Sequence, residues 1–194
     1  MITFGRDYGC GGHDLAALLS QRLGIRMLDR ELIDELWKND PEMKQLAQQY
    51  DERPVNRILS RKINEFDNSI PHNVAQRQFD MIRQIADSGE SAIFVGRCAD
   101  YALAGRPGLL RIFCRADLGL RIRRIEQRHN LSKKKAALLV AKTDRHRRVY
   151  YHHHTGQFWG HSSCYDLTVN TGVLGVEKTA ETMEAFIRTF WEQD

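Results

Sequence analysis

The chain has 194 residues, 42% of them hydrophobic and 28% charged, with a formal net charge of +4. Those proportions are ordinary for a soluble globular protein, and the length suffices for one α/β domain with a real core. No apolar stretch approaches the ~18 residues of a membrane span, and the N-terminus shows no signal-peptide pattern. The four cysteines, Cys10, Cys98, Cys114 and Cys164, are scattered without a C-x-x-C pair. Reduced thiols and a cytoplasmic location are therefore expected.

The elements follow in chain order. Met1 to Phe4 is a short apolar strand that runs into Gly9-Cys10-Gly11-Gly12. A strand, a glycine-rich turn and a helix form a common phosphate cradle, because backbone without side chains lets several N–H groups converge on one anion. In the helix behind it, Asp14 is expected as N-cap and Gly24 as terminator, with Leu15, Leu18, Leu19 and Leu23 on the buried face. The usual loop, G-x-x-x-x-G-K-[ST], places a lysine and then a hydroxyl after its last glycine. Here Gly12, His13 and Asp14 stand there instead. A thiol among converging N–H groups would have a lowered pKa, so Cys10 is expected to be reactive.

A second strand, Arg26 to Leu28, ends at Asp29, and an amphipathic helix follows through Leu32, Ile33, Leu36 and Trp37. Residues 40–88 read as a helical insertion on the edge of the sheet. Its firmest helix carries Ala75, Phe79, Ile82 and Ala86 at helical spacing, with Gly89 after its end. Ala92 to Val95 is wholly apolar and is expected to be the central buried strand, ending at Gly96-Arg97. Leu109 to Cys114 is the next strand. Asp117 and Ser132 are expected to cap the two helices that follow, the second running into a His/Tyr cluster near residue 150. Leu167 to Val169 is the last strand, and a closing helix carries Val176, Ala180, Met183, Ile187 and Trp191. Five strands linked mostly by helices predict an α/β fold, a five-stranded parallel sheet with helices on both faces. In such sheets ligands sit beyond the carboxyl ends of the strands, so Gly9 to Asp14, Asp29 and Gly96-Arg97 should cluster.

Charge is uneven along the chain. Between Arg111 and Arg148, thirteen arginines and lysines stand against only Asp117, Glu126 and Asp144. Such a stretch suits phosphate-rich partners or forms a solvated helix face. Without any recognisable RNA or DNA motif, nucleotides are the expected partners rather than nucleic acid.

Several segments in this order resemble the cytidylate kinase-like family of nucleoside-monophosphate kinases. They are Arg6-Asp7-Tyr8-Gly9-Cys10-Gly11-Gly12, Leu28-Asp29-Arg30-Glu31-Leu32, Val95-Gly96-Arg97-Cys98-Ala99-Asp100, Asp144-x-x-Arg147-x-x-Tyr150-Tyr151, Thr155-Gly156 with Trp159, and Tyr165 to Thr171. The resemblance implies a single domain of P-loop kinase type, with residues 40–88 as an acceptor-side insertion and residues 131–163 as a lid. It implies transfer of the γ-phosphoryl of ATP to CMP or dCMP with Mg2+. Gly9, Cys10, Gly11, Gly12, His13 and Asp14 would then bind the donor phosphates, and Arg97, Asp144 and Arg147 the acceptor. Two departures stand out: Cys98 follows the Gly-Arg pair where the family's established enzymes have aspartate, and the loop lysine is missing. Arg6, Arg97 and Arg147 are the candidates to replace that lysine, with Arg6, Asp29 and Arg147 as catalytic residues. Arg6 could equally pair with Asp7 or Asp29. Asp29 could hold Mg2+ or cap the next helix. A catalytically impaired nucleotide-binding regulator, or a kinase of another small acceptor, is the competing reading. The run His152-His153-His154 reads as a mobile lid turn rather than a metal site, since adjacent histidines do not share a helix face.

Overall fold

A computed structural model of the chain describes residues 1–29, 37–39, 41–50 and 70–192. Its five strands are β1 (Ile2–Arg6), β2 (Arg26–Leu28), β3 (Ala92–Val95), β4 (Leu110–Arg115) and β5 (Leu167–Asn170). They form one wholly parallel sheet in the order β2-β3-β1-β4-β5. The helices are α1 (Gly12–Leu23), α2 (Pro41–Tyr50), α3 (Ile70–Asp87), the single turn α4 (Ala99–Ala102), α5 (Leu118–His129), α6 (Lys133–Thr155) and α7 (Thr171–Trp191).

The sheet is covered on both faces because its strands are apolar on both faces. Ile2, Phe4, Ile93 and Val95 pack against Leu15 and Leu19 of α1 and against Ala180, Met183 and Ile187 of α7. Ala92, Phe94 and Leu28 pack on the opposite face against Ala75, Phe79 and Ile82 of α3, together with Tyr150 and Tyr151 of α6. Helix α5 meets α6 in a smaller cluster around Ile125, Ala136 and Val140.

Three expectations change here. The centre of the sheet is β1, with β3 beside it. Strand β1 hides its position by carrying Thr3 and Gly5 between its apolar residues, and Gly5 has no side chain because the Tyr165 hydroxyl would lie 2.9 Å from its Cβ. The cap of α1 is Gly11, with φ of 85°, and Asp14 falls inside the first turn. A left-handed cap favours glycine, and Gly11 carries the chain into the helix without a side-chain bond. The histidine run lies in the last turn of α6, not in a turn beyond it. It is packed there, the His154 ring lying 4.5 Å from that of Tyr150.

Other expectations hold. Gly24 ends α1 in the left-handed region, and Ser132 accepts from the Lys135 N–H at the start of α6. Asp117 occupies the cap position of α5, although its side chain makes no capping bond. The expected helix through Leu32, Ile33 and Leu36 lies outside the described residues, and Trp37 sits buried in a turn. Part of the insertion, residues 51–69, also lies outside them. No helix among the described residues is long and apolar enough to cross a membrane.

Candidate active site

The carboxyl ends of β1, β2 and β3 open onto one cleft of about 890 Å³, walled on the far side by α5 and α6. Of the residues singled out from sequence, Arg6, Gly9, Gly11, Gly12, His13, Asp14, Asp29, Arg97 and Arg147 line it. Cys10 and Asp144 do not.

The loop is packed from behind. Cys10 turns inward, fully buried, and its Sγ accepts from the Gly12 N–H at 3.2 Å. Burial pushes the Cys10 thiol up to about 11, outweighing the Gly12 N–H. The expected reactive thiol is thus the reverse, a protonated core residue. At Gly12 a Cβ would lie 2.9 Å from the Arg6 Cβ and 3.0 Å from the Cys114 Cβ. The start of α1 sits so close to β1 and β4 that position 12 has no room for a lysine.

The other side of the cleft is built around Asp29, at the end of β2. One of its oxygens accepts from Arg97 Nη1 at 2.6 Å, the other meets His13 Nδ1 at 3.0 Å, and Arg6 lies 3.9 Å away. Burial alone would raise the Asp29 carboxyl, but His13, Arg6 and Arg97 outweigh it and hold the group well below the usual carboxylate range. The same hydrogen bond raises His13 above its ordinary value. Arg6 therefore meets Asp29, the second of its two expected partners.

Arg97 is 2% exposed and also donates to the Val95 carbonyl at 3.2 Å. Gly96, Arg97 and Cys98 all have positive φ, 81°, 53° and 53°. Left-handed backbone costs an L-residue roughly 1–2 kcal/mol, and consecutive strained residues of this kind mark functional clamps. Their effect is to turn the chain sharply after β3, so that Arg97 folds back along the sheet edge into the cleft.

From α6, Arg147 Nη1 donates to the Arg6 carbonyl at 3.0 Å, and its guanidinium lies 5.7 Å from the centre of the Tyr8 ring. Asp144 accepts from the Tyr8 N–H at 2.8 Å and from Arg121 Nη1 at 2.5 Å. The structure thus places Asp144 behind the loop, fastening it to α5 and α6.

Sequence reasoning missed the cations of α5. Arg124 Nη1 donates to the Cys10 carbonyl, which also accepts from the Thr171 hydroxyl, and Arg128 meets Asp14 at 2.8 Å. Arg121, Arg124 and Arg128 are spaced i, i+3, i+7, the repeat of a single helix face. That spacing inside the basic stretch was the signal. Among the described residues no group of three or more His, Cys, Asp or Glu side chains is placed to hold a metal ion.

A glycine loop between a central strand and a helix, facing a buried arginine at the end of the neighbouring strand, defines a fold of P-loop kinase type. The chain belongs to the cytidylate kinase-like family, whose family model matches residues 1–173. No curated protein sequence matches it. Among solved structures, an uncharacterised protein from Eubacterium ventriosum is 26% identical with a TM-score of 0.76, the match covering 96% of this chain and 97% of that one. Two kinases share the fold at lower identity. Shikimate kinase from Bacteroides thetaiotaomicron has a TM-score of 0.58 and 11% identity, covering 96% of this chain and 97% of its own. A gluconokinase from Sinorhizobium meliloti has 0.59 and 12%, covering 99% and 93%.

Proposed function

We propose that this protein transfers the terminal phosphoryl group of ATP to a nucleoside monophosphate, with CMP or dCMP as the leading acceptor. The observation that carries the reading is the placement of Arg97. It is a buried, backbone-strained arginine that opens into the same cleft as the Gly9–Gly12 loop. One cleft thus offers two anion sites, the loop with the N-terminus of α1 for the donor and Arg97 with Arg147 for the acceptor phosphate.

Phosphoryl transfer needs alignment and positive charge over the equatorial oxygens, with little covalent help. Arg6 and Arg147, joined where Arg147 donates to the Arg6 carbonyl in the same cleft, supply that charge. Asp29 orients the cations: it fixes Arg97 and His13, and with them the direction from which an acceptor enters. Asp144 holds Tyr8 and Arg121 in position and acts on the acceptor only through Arg147, one helical turn further on. Helices α5 and α6 form the lid side of the cleft and exclude water when ligands fill it.

Magnesium accompanies ATP in the family's chemistry, and among the described residues the carboxylates of this cleft do not fit it as direct ligands. Both Asp29 oxygens are engaged by Arg97 and His13, and Asp14 is engaged by Arg128. A dication at Asp29 would face the guanidinium groups of Arg6 and Arg97.

A second reading is a nucleotide-binding regulator that keeps the cleft without the chemistry, favoured by the closed-off position 12. Incubation with ATP, magnesium and a panel of nucleoside monophosphates separates the two. ADP release with CMP supports the kinase. Nucleotide binding without turnover on any acceptor refutes it and supports the regulator.

A further inference from the structure

We propose that the cleft takes a polyphosphate chain as a metal-free anion, its charge met by arginines where other phosphate loops use a lysine and a magnesium ion. This rests on reading the cleft as the donor site, and it concerns how that site is charged rather than which acceptor it serves.

Three features converge on it. Position 12, the lysine position, is closed by the Cβ atoms of Arg6 and Cys114. Position 13, where the metal-holding hydroxyl belongs, carries an imidazole bonded to Asp29. Among the described residues each carboxylate of the cleft already faces a cation: Asp29 meets Arg97 at 2.6 Å, Asp14 meets Arg128 at 2.8 Å, and Asp7 lies 3.9 Å from Arg121. Magnesium demands octahedral oxygen ligands at close range. Carboxylate oxygens shared with guanidinium groups supply them poorly.

Among the described residues, five arginines line the cleft against three aspartates. Arg124 is the telling one. Its guanidinium is anchored by two neutral oxygens, the Cys10 carbonyl and the Thr171 hydroxyl. Among the described residues it pairs with no carboxylate. It lies against the loop itself, 3.2 Å from where a Gly11 Cβ would be. An arginine has five N–H donors in a fixed fork, and Arg124 commits only Nη1 to these anchors, which leaves donors for bidentate contact with phosphate oxygens. Bound magnesium removes two negative charges from ATP and so weakens its attraction to a site built of fixed positive charge.

Isothermal titration of the full chain tests this, with ATP and separately with inorganic tripolyphosphate, each in excess EDTA and in excess magnesium. Wild type, Arg124→Ala and Arg128→Ala are compared, with thermal melts to establish that each is folded. ATP is expected to bind in EDTA at least as tightly as in magnesium, and Arg124→Ala to weaken EDTA binding roughly tenfold or more, as loss of a charged hydrogen bond does. Arg128 is an exposed partner of Asp14, and Arg128→Ala is expected to weaken EDTA binding several-fold, which decides the test should Arg124→Ala not fold. Tripolyphosphate binding equal to ATP supports a site that reads the phosphate chain alone, and tighter ATP binding supports one that reads the nucleoside as well. Binding that appears, or strengthens tenfold, only when magnesium is added overturns the proposal. So does EDTA binding that neither variant weakens. Turnover separates it from the kinase reading. ATP binding in EDTA with no phosphorylated acceptor keeps this inference and removes the kinase, whereas CMP phosphorylation with magnesium-dependent ATP binding does the reverse.

Discussion

Adding a side chain at position 12 tests the packing that denies the loop its lysine. A Cβ there would lie 2.9 Å from the Arg6 Cβ, 3.0 Å from the Cys114 Cβ and 3.2 Å from Cys10 Sγ. Carbon atoms rest at about 3.5–4.0 Å, so the new methyl is too close to two neighbours at once. Neither can step aside, because Arg6 and Cys114 are register partners on adjacent strands. Overpacking of this kind costs roughly 1–3 kcal/mol. The helix preference of alanine over glycine returns up to ~1 kcal/mol, so Gly12→Ala should lose about 0.5–2 kcal/mol net. For a domain of this size each kcal/mol moves Tm by about 2–4 °C, and a fall of roughly 1–8 °C is expected. Gly119→Ala is the control, since its Cβ would meet only Arg123 Nη1 at 3.8 Å, and it should be neutral or slightly stabilising. Gly12→Lys should suffer the same crowding and bind ATP no better than wild type. Thermal unfolding and ATP titration read all three variants. A Gly12→Ala protein as stable as Gly119→Ala, or a fully stable Gly12→Lys with tenfold tighter ATP binding, would refute the reasoning.

Arg97→Ala removes the closest cation from Asp29 and should cost about 2–3 kcal/mol in urea unfolding, as loss of a hydrogen bond to a charged group does, with CMP affinity falling more than tenfold. A variant that keeps wild-type affinity removes Arg97 from the acceptor site. Because the Asp29 carboxyl is held below its ordinary value of 3.8, the stability it contributes is complete above that value and declines as pH falls toward the folded one. Asp29→Asn should therefore be less stable than wild type at neutral pH and converge with it in acid, and a gap that stays constant counts against the ion cluster. His13 is raised above 6.5 by Asp29, so its contribution is present below that pH and lost as pH rises through the raised value. His13→Gln should accordingly differ from wild type below neutrality and match it in alkali. With the Cys10 thiol pushed up to about 11 and Cys98 and Cys114 buried, alkylation of the folded protein followed by mass spectrometry should mark Cys164 first. Early labelling of Cys10 would show that the loop opens.

The sheet was legible in the sequence because strands covered on both faces are apolar in unbroken runs, as at Ala92 to Val95. Its centre was less so, since Thr3 and Gly5 interrupt β1 and Gly5 serves a tyrosine 160 residues away. Asp29 and Arg97 could be placed in one cleft because each follows a parallel strand directly, and parallel strands end on the same side. The direction of a side chain was not readable. Nothing local shows that Cys10 points into the core or that Asp144 grips the Tyr8 backbone. Arg124 escaped for a related reason: its partner is a main-chain carbonyl, which no residue type advertises.

Helix α6 holds the loop by its main chain. Arg147 binds the carbonyl of Arg6, and one turn earlier Asp144 binds the amide of Tyr8. The groups gripped are main chain, so a sliding or tilting of α6 that keeps these two bonds would move the strand end at Arg6 to Tyr8 rather than a single side chain. The loop and the 23-residue helix therefore behave as lever and fulcrum. A displacement of α6 near Tyr150 and Tyr151, which pack into the core on the other face of the sheet, would be expected to reach the start of the glycine loop by this route.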